Sequence, residues 1–270
     1  MANTIILKDF LVKETIDLLD RNMVVAPRGN RQFEGQLKQQ GDTVTVQTFP
    51  RITITTGGTA GDDISATDWA ITAENLQVVG VAQANAVVKD VEALKSNLNL
   101  QQEVAKGLAY SLSKIYDNDI MQKAIAGAGN AVATIALSAT NIYAEIEKMR
   151  VLLSADDAMD DAALFLTPAA ASFLRQSSMR DGFKEGSDVR KERTYVGKVS
   201  GFSVFETTND AMAGFMVAFD RNAVHFVEQM MKMDFRKEPK GFRTNIILEA
   251  LYQSKVFTNN ANRICKHAYT

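Results

Sequence analysis

The chain has 270 residues, 46% apolar and 23% charged, with 30 Lys and Arg against 32 Asp and Glu for a formal charge of −2. That length suits one large domain or two modest ones with a sizeable core, and the charge balance excludes a protein that binds nucleic acid by neutralising phosphates along its whole surface. A single cysteine, Cys265, excludes an intrachain disulfide and suits a reducing cytoplasm; charges interrupt the N-terminal run before a signal core forms, and no stretch approaches a membrane span of roughly 18–20 apolar residues.

Along the chain, Val12, Ile16, Leu19 and Met23 fall at spacings of four, three and four, which predicts a helix over 8–22 that Pro27 and Gly29 terminate. From Gly41 the period changes to two. Thr43-Val44-Thr45-Val46-Gln47-Thr48 and Arg51-Ile52-Thr53-Ile54-Thr55 alternate polar with β-branched residues, as half-buried strands do, with Pro50 marking an edge or a bend between them. Gly57-Gly58-Thr59-Ala60-Gly61-Asp62-Asp63 is a polar loop, and the chain returns into a long strand-like run, Leu76–Val91. The stretch 41–88 therefore reads as a two-stranded excursion and its return. A ribbon of this kind is marginal alone in water and needs a partner surface.

The strongest helix signal covers 97–126, where Val104, Leu108, Leu112 and Ile115 form a stripe widened by Ala105, Ala109 and Tyr116. Asn99 with Gln102 resembles a capping box, and Gly127 with Gly129 ends the run. At 1.5 Å per residue such a helix is about 45 Å long, a rigid spine. Ile142, Ile146, Met149 and Leu153 predict a second amphipathic helix capped by Ser138 or Thr140, Ala163–Leu166 a short buried strand, and Thr167-Pro168 the start of a third helix. Residues 175–198 are charge-dense and read as a surface loop; 196–206 looks like a turn feeding a strand. Phe215–Phe219 and Val224–Val227 read as strands paired around Asp220-Arg221-Asn222, and Thr244–Val256 as a last segment returning to the main sheet.

Sharper chemistry finds little support. His225 lies in the apolar run Val224-His225-Phe226-Val227, which favours a core histidine over a ligand, and Cys265 with His267 lacks the three or four ligands of a zinc site. The glycines at 57–61 lack the Gly-Lys-Ser/Thr ending of a phosphate loop. Asp156, Asp157, Asp160 and Asp161 read as a solvated acidic loop, not as a Ca²⁺ loop, and Met230, Met231 and Met233 as core filling or an adaptable contact surface. A soluble hydrolase using paired carboxylates stays open as an alternative. No catalytic, cofactor-binding or metal-binding residue is assigned.

The order of parts resembles the major capsid protein family of tailed bacteriophages. Three stretches carry it: Met23–Gln40 leading into Gly41-Asp42-Thr43-Val44-Thr45-Val46; Val87-Val88-Lys89-Asp90-Val91-Glu92 leading into the long helix; and Leu164–Leu174 followed by Val196–Glu206 with Gly197 and Gly201. The resemblance implies an α+β, Hong Kong 97 type fold with an N-terminal arm over 1–35, an extended β-hairpin (the E-loop) with its base strands over 36–86, and a peripheral domain with the spine helix over 87–135. An axial domain over 136–243 and a return to the peripheral domain over 244–270 complete it. It implies a shell subunit and no enzyme: hexamers and pentamers of itself around double-stranded DNA bound without sequence specificity, in the virion after assembly in the host bacterial cytoplasm, with no membrane. Portal, decoration and scaffolding proteins are the further partners implied, the scaffold being separate because the arm begins within the first few residues. Some members cross-link through an E-loop lysine; this chain has none between Lys38 and Lys89, so that chemistry is expected to be absent. An encapsulin-like compartment shell is the nearest alternative.

Overall fold

A helix of 29 residues, α1 (Asn99–Gly127), is the longest described element. The structure, a computed structural model, describes residues 15–19, 22–36, 39–48, 71–89, 99–177, 194–238 and 243–270. Leu108, Leu112, Tyr116, Ile120 and Ala124 are buried along α1, every fourth residue. A step of four residues overshoots one helical turn by about 40°, so the stripe winds around the helix and meets different partners along its length. This corrects the expected stripe at one place: Ile115 is exposed and Tyr116 takes the buried position. The side chains of Asn99 and Gln102, the expected capping box, lie outside the described residues.

The described strands form three sheets, two of which pack on α1. Strands β1 (Thr43–Thr48) and β2 (Thr72–Gln77) form an antiparallel ribbon. Strands β3 (Gly80–Lys89), β10 (Arg243–Lys255) and β9 (His225–Glu238) form an antiparallel sheet in the order β3-β10-β9. The third is a mixed sheet of six, in the order β4-β11-β8-β5-β7-β6, from Asn130–Ile135, Ile264–Tyr269, Phe215–Phe219, Ala163–Leu166, Phe202–Glu206 and Tyr195–Val199. Its middle is covered on both faces. Along β5, Ala163 and Phe165 point into the core shared with α1, while Leu164 and Leu166 point into a second core. That second core is built with α2 (Ile142–Ala155) and α3 (Pro168–Gln176). Phe165 stacks on Phe219 and Phe205 at ring separations of 5.0 and 5.8 Å.

Local chemistry explains most boundaries. Thr167 caps α3 by accepting from the Ala170 N–H, with Pro168 in the first turn. Ser200 and Gly201, at φ 52° and 85°, make the two-residue turn of a β6–β7 hairpin, the geometry that matches strand twist. Ile142, Ile146, Met149 and Leu153 are buried on α2 as their spacing requires. Its N-cap is Asn141 instead of Ser138 or Thr140: the Asn141 side chain accepts from the Ser138 N–H (2.8 Å) and donates to the Ala136 carbonyl (2.9 Å), closing the turn before the helix.

Four further expectations are corrected. The run Leu76–Val91 is two strands in two different sheets, broken at Val78-Val79 where the chain leaves the ribbon. Gly80 restarts it because a Cβ there would lie 2.4 Å from the Tyr252 carbonyl oxygen. The segments around Asp220-Arg221-Asn222 do not pair: β8 belongs to the six-stranded sheet and β9 to the three-stranded one, so this turn passes the chain between sheets. The loop expected at 175–198 is shorter, as α3 reaches Gln176 and β6 starts at Tyr195, and 178–193 lie outside the described residues. At the N-terminus, residues 15–19 are helical as expected, yet Thr15 and Leu19 are buried and Ile16 is exposed, so the packed face is turned by one residue. Strands β4 and β11 were not anticipated.

Candidate assembly surfaces

The segment 22–36 is tied to all parts of the body. Its backbone N–H groups at Val24, Val25 and Ala26 donate to the carboxylate of Asp117 on α1, at 2.9, 3.0 and 3.1 Å. These are donors at the start of a short 3₁₀ turn, Ala26–Arg28, that has no cap of its own; a carboxylate from elsewhere supplies the acceptors. Burial raises the Asp117 carboxyl above its ordinary range more than the three N–H groups lower it. Arg28 then lies over the Phe205 ring of the six-stranded sheet at 4.5 Å. Asn30 forms a parallel bridge with His225 at the start of β9, through N–H to Val224 (2.8 Å) and C=O from Phe226 (2.9 Å).

Among the described residues the ribbon is anchored at its base. In β1 and β2 a single residue, Leu76, is buried; it joins Val78, Val227, Leu251 and Phe257 in a small core with Phe33, Val44, Val46 and Val81 against it. Glu74 accepts from the Thr258 N–H at 2.9 Å and pairs with Lys255 at 3.4 Å, while Lys255 also donates to the Asn75 carbonyl at 2.7 Å. Burial pushes the Glu74 carboxyl up, but Thr258 and Lys255 outweigh it and hold the group below the usual range. Beyond that base, alternate residues of β1 face solvent. Residues 49–70, which include the Gly57–Gly61 loop and Arg51–Thr55, lie outside the described residues.

The residues singled out by type are packing groups. His225 is sandwiched between Phe33 and Phe257, at 5.4 and 4.7 Å between ring centres, and burial drives its pKa down to about 4. Its neutral ring presents Nε2 at 3.3 Å to the Asn260 side-chain amide. His267 and Glu145 are brought together from β11 and α2, with Nε2 to Oε2 at 3.1 Å, and Lys148 holds Glu145 from the solvent side at 2.7 Å. Burial raises the Glu145 carboxyl, while Lys148 and His267 lower it further, for a net shift downward. At 0% and 3% exposure neither partner of the pair can meet a substrate. Cys265 lies in the same core and its thiol is pushed up to about 12 by burial, so it carries no nucleophilic thiolate. In the acidic loop Asp156 accepts from Asn130, and Asp157 and Asp161 take φ of 54° and 51°. The side chains of Met230, Met231 and Met233 lie outside the described residues. Among the described residues no group of three His, Cys, Asp or Glu converges as metal ligands, and no helix is long and apolar enough to cross a membrane.

Sequence reasoning missed Asp117, Glu74 and Arg28. Asp117 left a signal: with Ser113 it is a polar residue on the buried face of α1, which demands partners. Glu74 and Arg28 left none, since their partners lie far along the chain.

No family model matches the chain, and no curated protein does. Solved structures do. A chain of Mycobacterium phage Che8 is similar over 91% of this chain and 90% of its own length, with a TM-score of 0.71 at 19% identity. The asymmetric unit of the bacteriophage PhiM1 mature capsid is similar over 92% and 87%, with a TM-score of 0.64 at 15% identity. A virus-like particle from Pyrococcus furiosus is similar over 95% and 97%, with a TM-score of 0.57 at 11% identity. At these identities the likeness is one of fold, and it spans nearly every element in order: the chain has the α+β fold of a phage capsid subunit.

Proposed function

We propose that the chain is a major capsid protein, a coat subunit that assembles with copies of itself into the hexamers and pentamers of an icosahedral head around double-stranded DNA. The observation that carries this is the match over about nine-tenths of the chain to a subunit of a mature phage capsid. The ribbon supports it independently, being a two-stranded sheet with almost nothing buried beyond its base. Residues 36–86 supply the E-loop, which is laid on a neighbour, together with its base strands, and residues 1–35 serve as an arm whose described parts, 15–19 and 22–35, are packed on the body. Assembly occurs in the bacterial cytoplasm with a scaffolding protein and a portal. Each subunit is held by several neighbours, so weak contacts sum to a stable shell.

A compartment shell of the encapsulin kind is the second reading, favoured only by the likeness to the Pyrococcus furiosus particle, which is weaker in TM-score than the phage structures. Electron microscopy of the protein expressed alone and with a scaffolding partner tests the proposal, together with a variant in which residues 51–70 are replaced by a short turn. Wild-type shells and a folded, unassembled variant are expected. A wild-type monomer that never polymerises overturns the coat reading; normal shells from the shortened variant overturn the E-loop role. Particles that enclose protein cargo and exclude DNA would select the compartment.

A further inference from the structure

His225 stands where three parts of the chain meet. It opens β9, and the segment 22–36 pairs across its backbone: Asn30 donates to the Val224 carbonyl and accepts from the Phe226 N–H. Its ring lies between Phe33 of that segment and Phe257, which leads into the 3₁₀ turn Thr258–Arg263. Phe257 shares the small core with Leu76, the one buried residue of β1 and β2, and Phe33 packs against the same core. The imidazole is therefore the polar group at the contact that ties both the segment and the ribbon base to the body. Neither of the two larger cores contains it.

The hydrogen bonding at the ring accommodates one proton and no more. The Asn260 side-chain amide donates to the Asn222 carbonyl at 2.9 Å, which turns its nitrogen towards His225. Nε2 faces that nitrogen at 3.3 Å, so Nε2 is the acceptor and the proton of the neutral ring sits on Nδ1. Nδ1 is buried and has no partner among the described residues. A second proton sets an N–H against the Asn260 donor and creates a charge with no carboxylate to meet it. The charged groups on the surrounding elements are engaged with one another: Arg31 with Glu34 and Glu228, Lys255 with Glu74, and Arg263 with Asp220. Asp42 accepts from the Gln39 N–H, and Arg221 on the adjoining turn is exposed. Lys255 also lies over the Phe257 ring at 5.2 Å, so that ring already carries a cation. At 7% exposure, His225 has no water to solvate a charge while these contacts are closed.

We propose that His225 is a proton-sensitive joint: uptake of a proton at Nε2 opens its contacts and frees the segment 30–36 and the base of the ribbon from the body, while the two larger cores stay closed. The inference does not depend on the coat reading, so the failure of one leaves the other standing. Opening exposes the ring to water, where it binds a proton at the ordinary value of 6.5, so the open form gains on the closed one as pH falls from there towards about 4. Between about pH 7.5 and about pH 4.5 the opening equilibrium is expected to rise of order 10–100-fold.

Hydrogen exchange of the full chain in its unassembled state tests this, with rates corrected for the direct effect of pH on exchange chemistry. The amides of Asn30 and Phe226 in the bridge, and of Gly41 and Val78 at the ribbon base, are expected to lose protection by that factor at the lower pH. Those of Ser203 and Thr207 in the six-stranded sheet are expected to keep theirs. His225→Gln is expected to abolish the change at the first four amides and to leave any response at Val24–Ala26, which depends on Asp117. Glu74→Gln removes the carboxylate at the ribbon base and is expected to leave the change in place. A loss of protection that includes Ser203 and Thr207 overturns the proposal in favour of global unfolding, and so does a response that persists in His225→Gln. Proton NMR gives a second readout that needs no His225 variant, since the chain has only two histidines, His225 and His267. The imidazole in contact with Phe33 and Phe257 is expected to titrate well below the ordinary range, and Phe33→Ala, which uncovers one face of it, to raise its midpoint. A midpoint at the ordinary value, or one that Phe33→Ala does not move, overturns the joint.

Discussion

The six-stranded sheet and the β1–β2 ribbon use similar residues to opposite ends. In the former, β5 is buried on every residue and its alternate side chains enter two cores, so the strand needs nothing outside the subunit. In the latter, Val44 and Val46 are only partly covered and Leu76 alone is buried. A strand in the middle of a covered sheet is finished at folding; a ribbon is finished only when something lies along it. The chain therefore separates a region that secures its own fold from a ribbon that the rest of the described residues leave largely uncovered.

Breaking the finished region has the largest expected effect. Phe165→Ala removes the ring that stacks on Phe205 and Phe219 and is expected to destabilise the subunit by about 3–5 kcal/mol in thermal or denaturant unfolding. A loss below about 1 kcal/mol would mean that the sheet is not the stability centre. Next comes the junction between the regions. Asp117→Ala strands three backbone N–H groups and is expected to cost about 3 kcal/mol, with faster hydrogen exchange at Val24–Ala26 as its signature. Unchanged exchange there would show that the segment docks by other contacts.

His225 sharpens the comparison through pH. In the folded chain its pKa is depressed to about 4 from 6.5, so between those values the unfolded chain takes up a proton that the folded chain refuses. Stability attributable to this group is intact above about pH 6.5 and falls as pH drops towards 4, by of order 1–3 kcal/mol. His225→Gln is expected to flatten that decline in the unassembled subunit; a profile unchanged over this window would remove His225 as its cause. The smallest effect belongs to the ribbon. Glu74→Gln weakens a partly exposed contact with Lys255 and Thr258, and a stability change under about 1 kcal/mol is expected, with faster exchange confined to β2. A global loss would place the ribbon within the finished region after all.

Much of this was legible in the sequence, and the failures have a common physical origin. Helices α1 and α2 and the Thr167-Pro168 start of α3 declare themselves because their determinants lie within one or two turns. Strands β1 and β10 also declare themselves by composition. What fails is partnership. Phe215–Phe219 and the strand from His225 are separated by a turn-like tripeptide, which locally means a hairpin, but their partners are β5 and β11 for one and β10 for the other. Likewise nothing in Leu76–Val91 announces that Val78-Val79 is a crossing between sheets. Strand β11, Ile-Cys-Lys-His-Ala-Tyr, hides its character because His267 and Cys265 count as polar or reactive by type and are core residues by environment. For the candidate surfaces, the strand character of 43–48 was readable from its alternation, while the Asp117 clasp and the Glu74 anchor depend on residues about 90 and 180 positions apart.

The winding stripe on α1 has a mechanical consequence. Leu108, Leu112, Tyr116 and Ile120 belong to one continuous core with Phe165, Val217 and Phe219 of one sheet and Ile246, Leu248 and Ala250 of another. Neither sheet can swivel about the helix without opening voids that a close-packed interior does not tolerate. The body of the chain is therefore stiff, and in the proposed shell any change of curvature would be taken up at the seams between copies.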